Sequence, residues 1–509
     1  MSASNPALAP PPVPREFRGV WVATVGNVDW PSREGLSTRE QQAELLAILD
    51  RAASLNLNAV VFQVRPAADA FYDSPYEPWS EYLTGTMGRA PHPYWDPLRF
   101  AVKEAHARGL ELHAWFNPFR ARRSGLHHDV SKDHISRTHP ELVREYGDQL
   151  WLDPGEPAAR AHSLRVILDV VRRYDIDGVH LDDYFYPYPV LDATGHAVPF
   201  PDNASWRRYV DAGGTLHRPD WRRANIDGFV EALYDSVKAV KPWVKLGIAP
   251  MGTWRPGHPA ATYGYDAYGE LYADARKWLW HGWMDYVAPQ LYWPIARSDV
   301  SFPLLLDWWM RQNLHERHVW PGLIPSRVGS AAQDEGWSAT EILREIHVTR
   351  GAGAGGNILF SMRALLPRPD SLARLLRDRA YQMPALVPAS PWLDRAPPAP
   401  PAVLYGSRGR DFSLRFRPAA GTKPWLWVVQ LHDGRGWTTR FLPGGVRRFS
   451  VSPGADDAPD AVFVFVVDRC GEASRKVRVD MTDEEGSGLQ EAGRPPPTAP
   501  PRPISRDRS

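Results

Sequence analysis

Eight runs of strand character alternate with helical stretches between residues 17 and 380, and this alternation constrains the fold more than any other feature. The strand-like runs are 17–24, 58–65, 111–118, 178–182, 245–250, 285–293, 319–325 and 356–362. Helical patterning fills most of the chain between them, as at 38–55, 96–108, 221–240 and 340–350. Eight strand–helix units is the count of a closed (β/α)₈ TIM barrel. The connections after the first five runs are long, and long loops inside a compact domain are usually functional. The fourth run, Gly178-Val179-His180-Leu181-Asp182-Asp183, breaks the usual rule for a parallel strand, which is apolar throughout. Val179 and Leu181 share one face while His180 and Asp182 share the other, because strand side chains alternate. Such a polar face fits the inside of a barrel near its C-terminal rim, where catalytic side chains sit. The alternative is structural: both aspartates cap the next segment or pair with an arginine in a buried network.

A chain of 509 residues is too long for one ordinary domain. Residues 1–14 are rich in Pro and Ala and read as disordered, and 15–383 hold the barrel. Residues 384–402 read as a semi-rigid Pro-rich linker. Residues 403–480 carry short alternating strands at 411–417, 425–432, 438–442, 461–468 and 476–479, the pattern of a small all-β sandwich. Residues 481–509 are polar, Pro-rich and expected to be disordered. This division makes barrel and sandwich separable modules. The net charge of +1, from 60 Lys and Arg against 59 Asp and Glu, argues against nucleic acid or an anionic membrane as partner. Lone Cys470 excludes an internal disulfide. No run approaches the roughly 18–20 apolar residues of a membrane span. The opening MSASNPALAPPPVPR lacks the basic start and apolar core of a signal peptide, or is what remains after removal of one. The 22 Trp suit sugar faces and core filling equally.

Several familiar constellations fail on inspection. The glycine run at 351–356 precedes a strand, whereas a phosphate-cradling loop leads from strand to helix. His127, His128 and Asp129, with Asp133 and His134 nearby, lack metal-site spacing, so neither metal nor cofactor is expected. No GxSxG elbow occurs. What remains is the rim. Alternation places Arg65, Asn117, Asp182, Gln290 and Tyr292 at the C-terminal ends of the second, third, fourth and sixth strands. His180 and Tyr184 flank the acids, and Trp254 and Trp293 follow the fifth and sixth strands. Each position has a bland explanation, such as a salt bridge for Arg65 or a loop cap for Asn117. Their convergence on one rim favours a substrate site.

The blocks EFRGVWVATVGNVDWPS, EAHARGLELHAWFNPFR, WLDPGEPAAR, YDIDGVHLDDYFYPYP, DWRRANIDGFV and DYVAPQLYW occur in this order, and together they resemble the glycosyl hydrolase-like 10 family over about residues 15–385. The resemblance implies a (β/α)₈ barrel and glycosidase activity. It further implies peptidoglycan glycan strands without stem peptides as substrate, and a secreted or lipid-anchored place in the bacterial envelope. No lipobox cysteine stands near the start of this chain. AVFVFVVDRCGEASRKVRV is similar to the last strands of a fibronectin type III domain. Strands five to eight end without an acid, so a second carboxylate is missing from the rim. Adjacent acids on the fourth strand with a tyrosine on the sixth are similar to hexosaminidases whose substrate acetamide is the nucleophile. Asp182, Asp183 and Tyr292 are then the catalytic candidates, with Arg65, Asn117, His180, Tyr184, Trp254, Gln290 and Trp293 binding substrate. Two rivals stay open: a carbohydrate-binding barrel without turnover, and a glucan hydrolase whose second acid is Asp266, Glu270 or Asp29.

Overall fold

The computed structural model describes residues 9–123, 125, 129–329, 337–366, 371–394, 396–408, 411–451 and 459–481. His127 and His128 lie outside the described residues. The parallel strands are β1 (Phe17–Val22), β2 (Ala59–Arg65), β3 (Glu111–Phe116), β4 (Gly178–Leu181), β5 (Lys245–Ile248) and β6 (Tyr286–Val287). β7 comes in two segments, His318–Val319 and Gly322–Leu323, and β8 is Gly356–Leu359. Each strand pairs in parallel with the next from β1 to β6, and β8 returns to β1. The first segment of β7 pairs with β6 and the second with β8. Only Trp320 and Pro321 separate them; the Trp320 N–H donates to the Val287 carbonyl at 2.9 Å and the Ile358 N–H to the Pro321 carbonyl at 3.1 Å. The ring of strands therefore closes through a kinked β7.

Packing follows the alternation. On β2, Val60, Phe62 and Val64 face outward onto α1 (Thr38–Ser54), whose Leu45, Ile48 and Leu49 complete that layer. Ser37 caps α1 in a reciprocal box with Glu40. α2 (Pro97–His106), α3 (Pro157–Arg173), α4 (Arg218–Val240), α5 (Ala275–His281), α6 (Phe302–Gln312) and α7 (Ala339–Gly351) continue the outer shell. Between β3 and α3, where sequence suggested only a loop, Arg120–Arg122, Val143–Tyr146 and Gln149–Leu152 form a three-stranded antiparallel sheet. Among the described residues no helix is long and apolar enough to cross a membrane.

The lumen is packed rather than open. Phe17, Trp21, Val61, Trp115, Tyr286, Trp320 and Ile358 form one cluster along the axis. Gly247 makes the space for Tyr286, since a Cβ there would lie 1.8 Å from its ring. A polar chain threads this cluster. Lys245 donates to Glu111 at 3.0 Å, and His113 Nε2 meets the same carboxylate at 3.0 Å. The Tyr286 hydroxyl bridges His113 Nδ1 at 2.8 Å and His180 Nδ1 at 2.9 Å. Trp21 Nε1 donates to His180 Nε2 at 3.1 Å, so both His180 nitrogens are engaged and the ring stays neutral. Burial, with nearby His113 adding to it, holds the His180 pKa well below the ordinary value.

The N-terminal mouth of the barrel differs from expectation. Residues 385–392 lie inside the stretch read as a linker, yet they stopper the barrel floor. Val387 joins the lumen cluster, Ser390 Oγ meets His318 Nε2 at 3.0 Å, and Trp392 Nε1 donates to Asp285 at 2.8 Å. Residues 9–14, expected to be disordered, are also engaged: the Leu386 N–H donates to the Pro14 carbonyl at 2.9 Å and Gln430 Nε2 to the Pro11 carbonyl at 3.0 Å. Beyond them, Ala402–Arg408, Asp411–Arg417 and Arg448–Val451 make one antiparallel sheet. Trp437–Pro443, Leu426–His432, Ala461–Val467 and Val477–Arg478 make the other, in that order. Arg469 of this sandwich reaches back to Asp177 at the foot of β4 at 2.9 Å, beside Trp425 stacked edge-on against His106.

One buried group works against the fold. The Glu345 carboxyl on α7 is fully buried, and neither oxygen has a hydrogen-bond partner among the described residues. Burial, then neighbouring Glu341, raises its pKa well above the usual carboxylate range. A raised folded-state pKa means stability that is present below the unfolded pKa and lost as pH rises. Glu345→Met, similar in volume and apolar, should therefore stabilise the chain by about 1–3 kcal/mol at neutral pH. The gain should shrink toward pH 4, and urea unfolding at the two pH values checks it; an equal gain at both would refute the cause.

Candidate active site

A cavity of about 290 Å³ opens at the C-terminal rim, lined by Trp21, Trp115, Asp182, Asp183, Tyr184, Tyr188, Gln290, Tyr292 and Phe360 among others. The period of β4 carries Asp182 into it. Asp182 Oδ2 accepts from Asn117 Nδ2 at 3.1 Å, and Oδ1 accepts from Gln290 Nε2 at 3.4 Å and the Asp183 N–H at 3.0 Å. The Tyr184 hydroxyl, which accepts from Asn117 Nδ2 at 3.1 Å and from Arg120 at 2.6 Å, also hydrogen-bonds the Asp182 carboxylate. Asp182 is half-buried, whereas Asp183 is 4% exposed. The Tyr188 hydroxyl donates to Asp183 Oδ2 in a short hydrogen bond. Burial first, then the adjacent Asp182, raises the Asp183 pKa well above the carboxylate range. Such a shift favours the protonated carboxyl, the form a general acid needs.

Tyr292 enters from the end of β6, and its ring lies 6.0 Å from Phe360. Burial, reinforced by Asp182 and Asp183, raises its pKa well above the ordinary phenol, so the hydroxyl is neutral and available as a donor. Trp21 and Trp115 supply indole faces. Trp21 is fixed by the lumen chain through His180, and the Trp115 Nε1 is buried without a partner among the described residues.

The structure gathers Asp182, Asp183, Tyr184, Gln290 and Tyr292 of the expected residues around this cavity. Asn117 stands directly behind it, fully buried, holding Asp182 with one amide hydrogen while Gln63 Nε2 donates to its Oδ1 at 2.7 Å. Arg65 is deeper, with 0% exposure; it forks onto Glu77 at 2.8 and 2.5 Å and reaches the Asn117 carbonyl at 2.6 Å. Burial works to raise the Glu77 pKa, but Arg65 and His162 hold it down at about 2. Arg65 thus braces Asn117 rather than touching the cavity. His180 lies one layer below Asp182 in the lumen chain and touches Trp21, not solvent. Trp254 donates to Asp274 at 3.0 Å and stacks on Trp308. Trp293 packs against Gly252 and the outer core. Neither tryptophan is among the residues lining this cavity, whose indoles are those of Trp21 and Trp115. Tyr188 and these indoles went unnoticed at the sequence level, although Trp21 shares the β1 face of Phe17 and Trp115 that of His113.

The acids considered for a second carboxylate are occupied elsewhere. Asp29 accepts from the Ala23 and Arg363 N–H groups and Ser361 Oγ, each at 2.7 Å, tying the loops after β1 and β8 together. Asp266 caps the turn Ala267–Glu270. Glu270 lines a different cavity. His134 caps the short helix Ile135–Thr138 through Ser136, which accounts for its place in the loop histidine cluster.

Asn117→Ala should lower kcat by about 10²-fold, the scale of a small misplacement of a reacting group. Initial rates beside a thermal melt check this. If kcat holds, Asn117 does not aim Asp182.

The chain matches the family described as glycosyl hydrolase-like 10 over residues 16–339. It is 41% identical over 423 residues to "Glycosyl hydrolase YngK" of Bacillus subtilis (strain 168), covering 81% of each protein. It is 36% identical over 331 residues to "Glycosyl hydrolase DigH" of Escherichia coli (strain K12), covering 60% of this chain and 73% of that protein. Among solved structures, the PgaB (BpsB) glycoside hydrolase domain from Bordetella bronchiseptica aligns with a TM-score of 0.47 at 16% identity, covering 72% of this chain and 98% of that one. With more than half of its length matched by that family, and with relatives of this identity and coverage, the chain belongs to the glycosyl hydrolase-like 10 family and is a glycoside hydrolase.

Proposed function

We propose that this enzyme cleaves glycans of N-acetylhexosamine, with peptidoglycan strands that have lost their stem peptides as the substrate class. The supporting observation is the pairing of a buried, proton-retaining Asp183 with Asp182 and a neutral Tyr292 around one small cavity. Asp183 gives its proton to the leaving glycosidic oxygen. Asp182 accepts the acetamide N–H. The Tyr292 hydroxyl donates to the acetamide carbonyl, whose oxygen attacks the anomeric carbon and forms a cyclic intermediate with the substrate itself. Asp183, now ionised, takes a proton from the water that opens that ring, which returns the acid and retains the anomeric configuration. Trp21 and Trp115 shield the site and offer apolar faces to the sugar.

In the same reading the enzyme works in the bacterial envelope, where such strands occur. Residues 403–480 form a fibronectin type III-like support, a reading favoured by their three-plus-four strand sandwich. Product masses from denuded and intact peptidoglycan test the substrate. A 2-fluoro sugar tests the route: labelling of an aspartate or glutamate would remove acetamide participation. Capture of glycan with no released product would make the barrel a binding module.

A further inference from the structure

We infer that the cavity on the far side of the β4–α4 loop is a distal subsite for the same glycan strand, and that it gives the enzyme a preference for long chains. The inference rests on the proposed N-acetylhexosamine substrate. The catalytic cavity, at about 290 Å³, sits at the bottom of the roughly 300–1,000 Å³ range of small-ligand sites and has room for about one sugar. A polymer substrate must continue outside it. The second cavity, of about 550 Å³, is lined by Tyr186, Leu191, Phe200, Tyr272 and Glu270 among others.

The two spaces share a wall. Tyr188 lines the catalytic cavity, while Pro187 and Pro189 on either side of it line the second. Tyr188, its ring 5.6 Å from Tyr265, stands as the ridge between the spaces. A strand leaving the catalytic cavity over this ridge enters the second cavity directly.

The lining suits a sugar. Its walls are aromatic and prolyl, which matches the apolar faces of hexose rings. The Tyr186 hydroxyl is buried with no partner among the described residues, and exposed Glu270 supplies an acceptor for hydroxyl or amide groups. Arg222, by contrast, is spent: it forks onto Asp202 at 2.7 Å and donates to the Tyr272 hydroxyl at 2.6 Å. The site therefore carries no free cation among its described residues and does not select an acidic sugar. One flank is a hairpin closed by the Val198 N–H to the Val190 carbonyl at 2.8 Å, with Leu191 left 62% exposed at its edge. An apolar side chain that open, beside a cavity that shares a wall with the active site, is the surface a bound strand would cover. The base of the same hairpin is Tyr188, which holds Asp183, so a sugar in the second cavity also steadies the catalytic acid.

The test uses the full chain carrying Asp183→Asn, so that binding is read without cleavage. N-acetylglucosamine oligomers from dimer to octamer are titrated calorimetrically, with and without Leu191→Asp. The octamer should bind about tenfold or more tightly than the dimer, and Leu191→Asp should remove that advantage while leaving dimer affinity unchanged. Glu270→Gln, a second exposed change, should weaken octamer binding in the same direction. Affinity independent of length, or unchanged by both substitutions, would overturn the subsite, as would an absence of binding at any length. Length-dependent binding lost in Leu191→Asp, with no hydrolysis by the parent enzyme, would keep the subsite and remove the catalytic reading instead.

Discussion

Asp183→Asn should lower turnover by about 10²- to 10⁴-fold on glycans with poor leaving groups, the range that general acid catalysis supplies. On an activated aryl glycoside, whose leaving group needs no proton, the loss should be far smaller. Asp182→Asn should slow both substrates, because the acetamide must be held whatever leaves. The pair of ratios separates the roles: an equal loss on both substrates in Asp183→Asn would exclude it as the proton donor. If Asp183 is that donor, activity should fall on the alkaline side as pH rises through its raised pKa.

Stability carries the same signature with an opposite benefit. The folded-state pKa of Asp183 lies above the unfolded value of about 3.9. Between the two values the unfolded chain releases a proton that the folded chain keeps. Folding stability from this group is complete below pH 4 and declines by about 1.4 kcal/mol per pH unit above it, until the folded carboxyl also ionises. Asn cannot ionise and retains a carbonyl for Tyr188, so the variant should melt above the parent at neutral pH and converge with it in acid. An inactive enzyme that is more stable than its parent is the mark of a site strained for catalysis.

How much of this was legible in the residues depends on what a period can report. A period of two says which face a side chain takes, and it put Asp182, Gln290 and Tyr292 at the rim. It does not say how deep a residue sits. His180 shares the face of Asp182 but is two residues lower, roughly 6–7 Å down the axis, where the lumen is closed. Nor does a period name partners. Arg65 is answered by Glu77 in the following loop, and Trp254 by Asp274, so both are consumed before reaching substrate. Tyr188 belongs to an irregular loop with no period at all, and only its contact with Asp183 reveals it. The stopper at 385–392 was misread for a different reason. Proline density marks a segment that makes few backbone hydrogen bonds, which suits a spacer in water. It suits burial equally well, because a residue without an N–H leaves no orphan donor when packed against a barrel mouth.

A chain ending after Pro384 should fail to fold, where composition alone had suggested an independent, active barrel. The cut removes Val387 from the lumen cluster, a loss of about 1.5–3 kcal/mol for a buried apolar side chain. It also removes the Ala385 carbonyl that accepts from Asn58, the Leu386 carbonyl that accepts from Glu16, and the Ser390 and Trp392 contacts to His318 and Asp285. Each buried group left unpaired costs about 1–3 kcal/mol. Asn58 and Asp285 keep other partners, but the losses at the Glu16 N–H and His318, with the exposed floor, take a large share of the stability of an ordinary domain, about 5–15 kcal/mol. A chain ending after Pro398 keeps the stopper and loses only the sandwich. Its cost is the exposure of His106 and Asp177, which give up Trp425 and Arg469, and of Leu386, which packs against Trp425, Leu426 and Phe465. The Ser390 N–H also loses the Cys470 carbonyl that accepts from it. That longer chain should be soluble, cooperative in thermal unfolding and active on short oligomers, with a lower Tm than the full protein. Circular dichroism melts and oligomer turnover of both shortened chains decide the matter. Should the Pro384 form melt cooperatively near the parent Tm, residues 385–392 are a tether and the barrel closes its own floor.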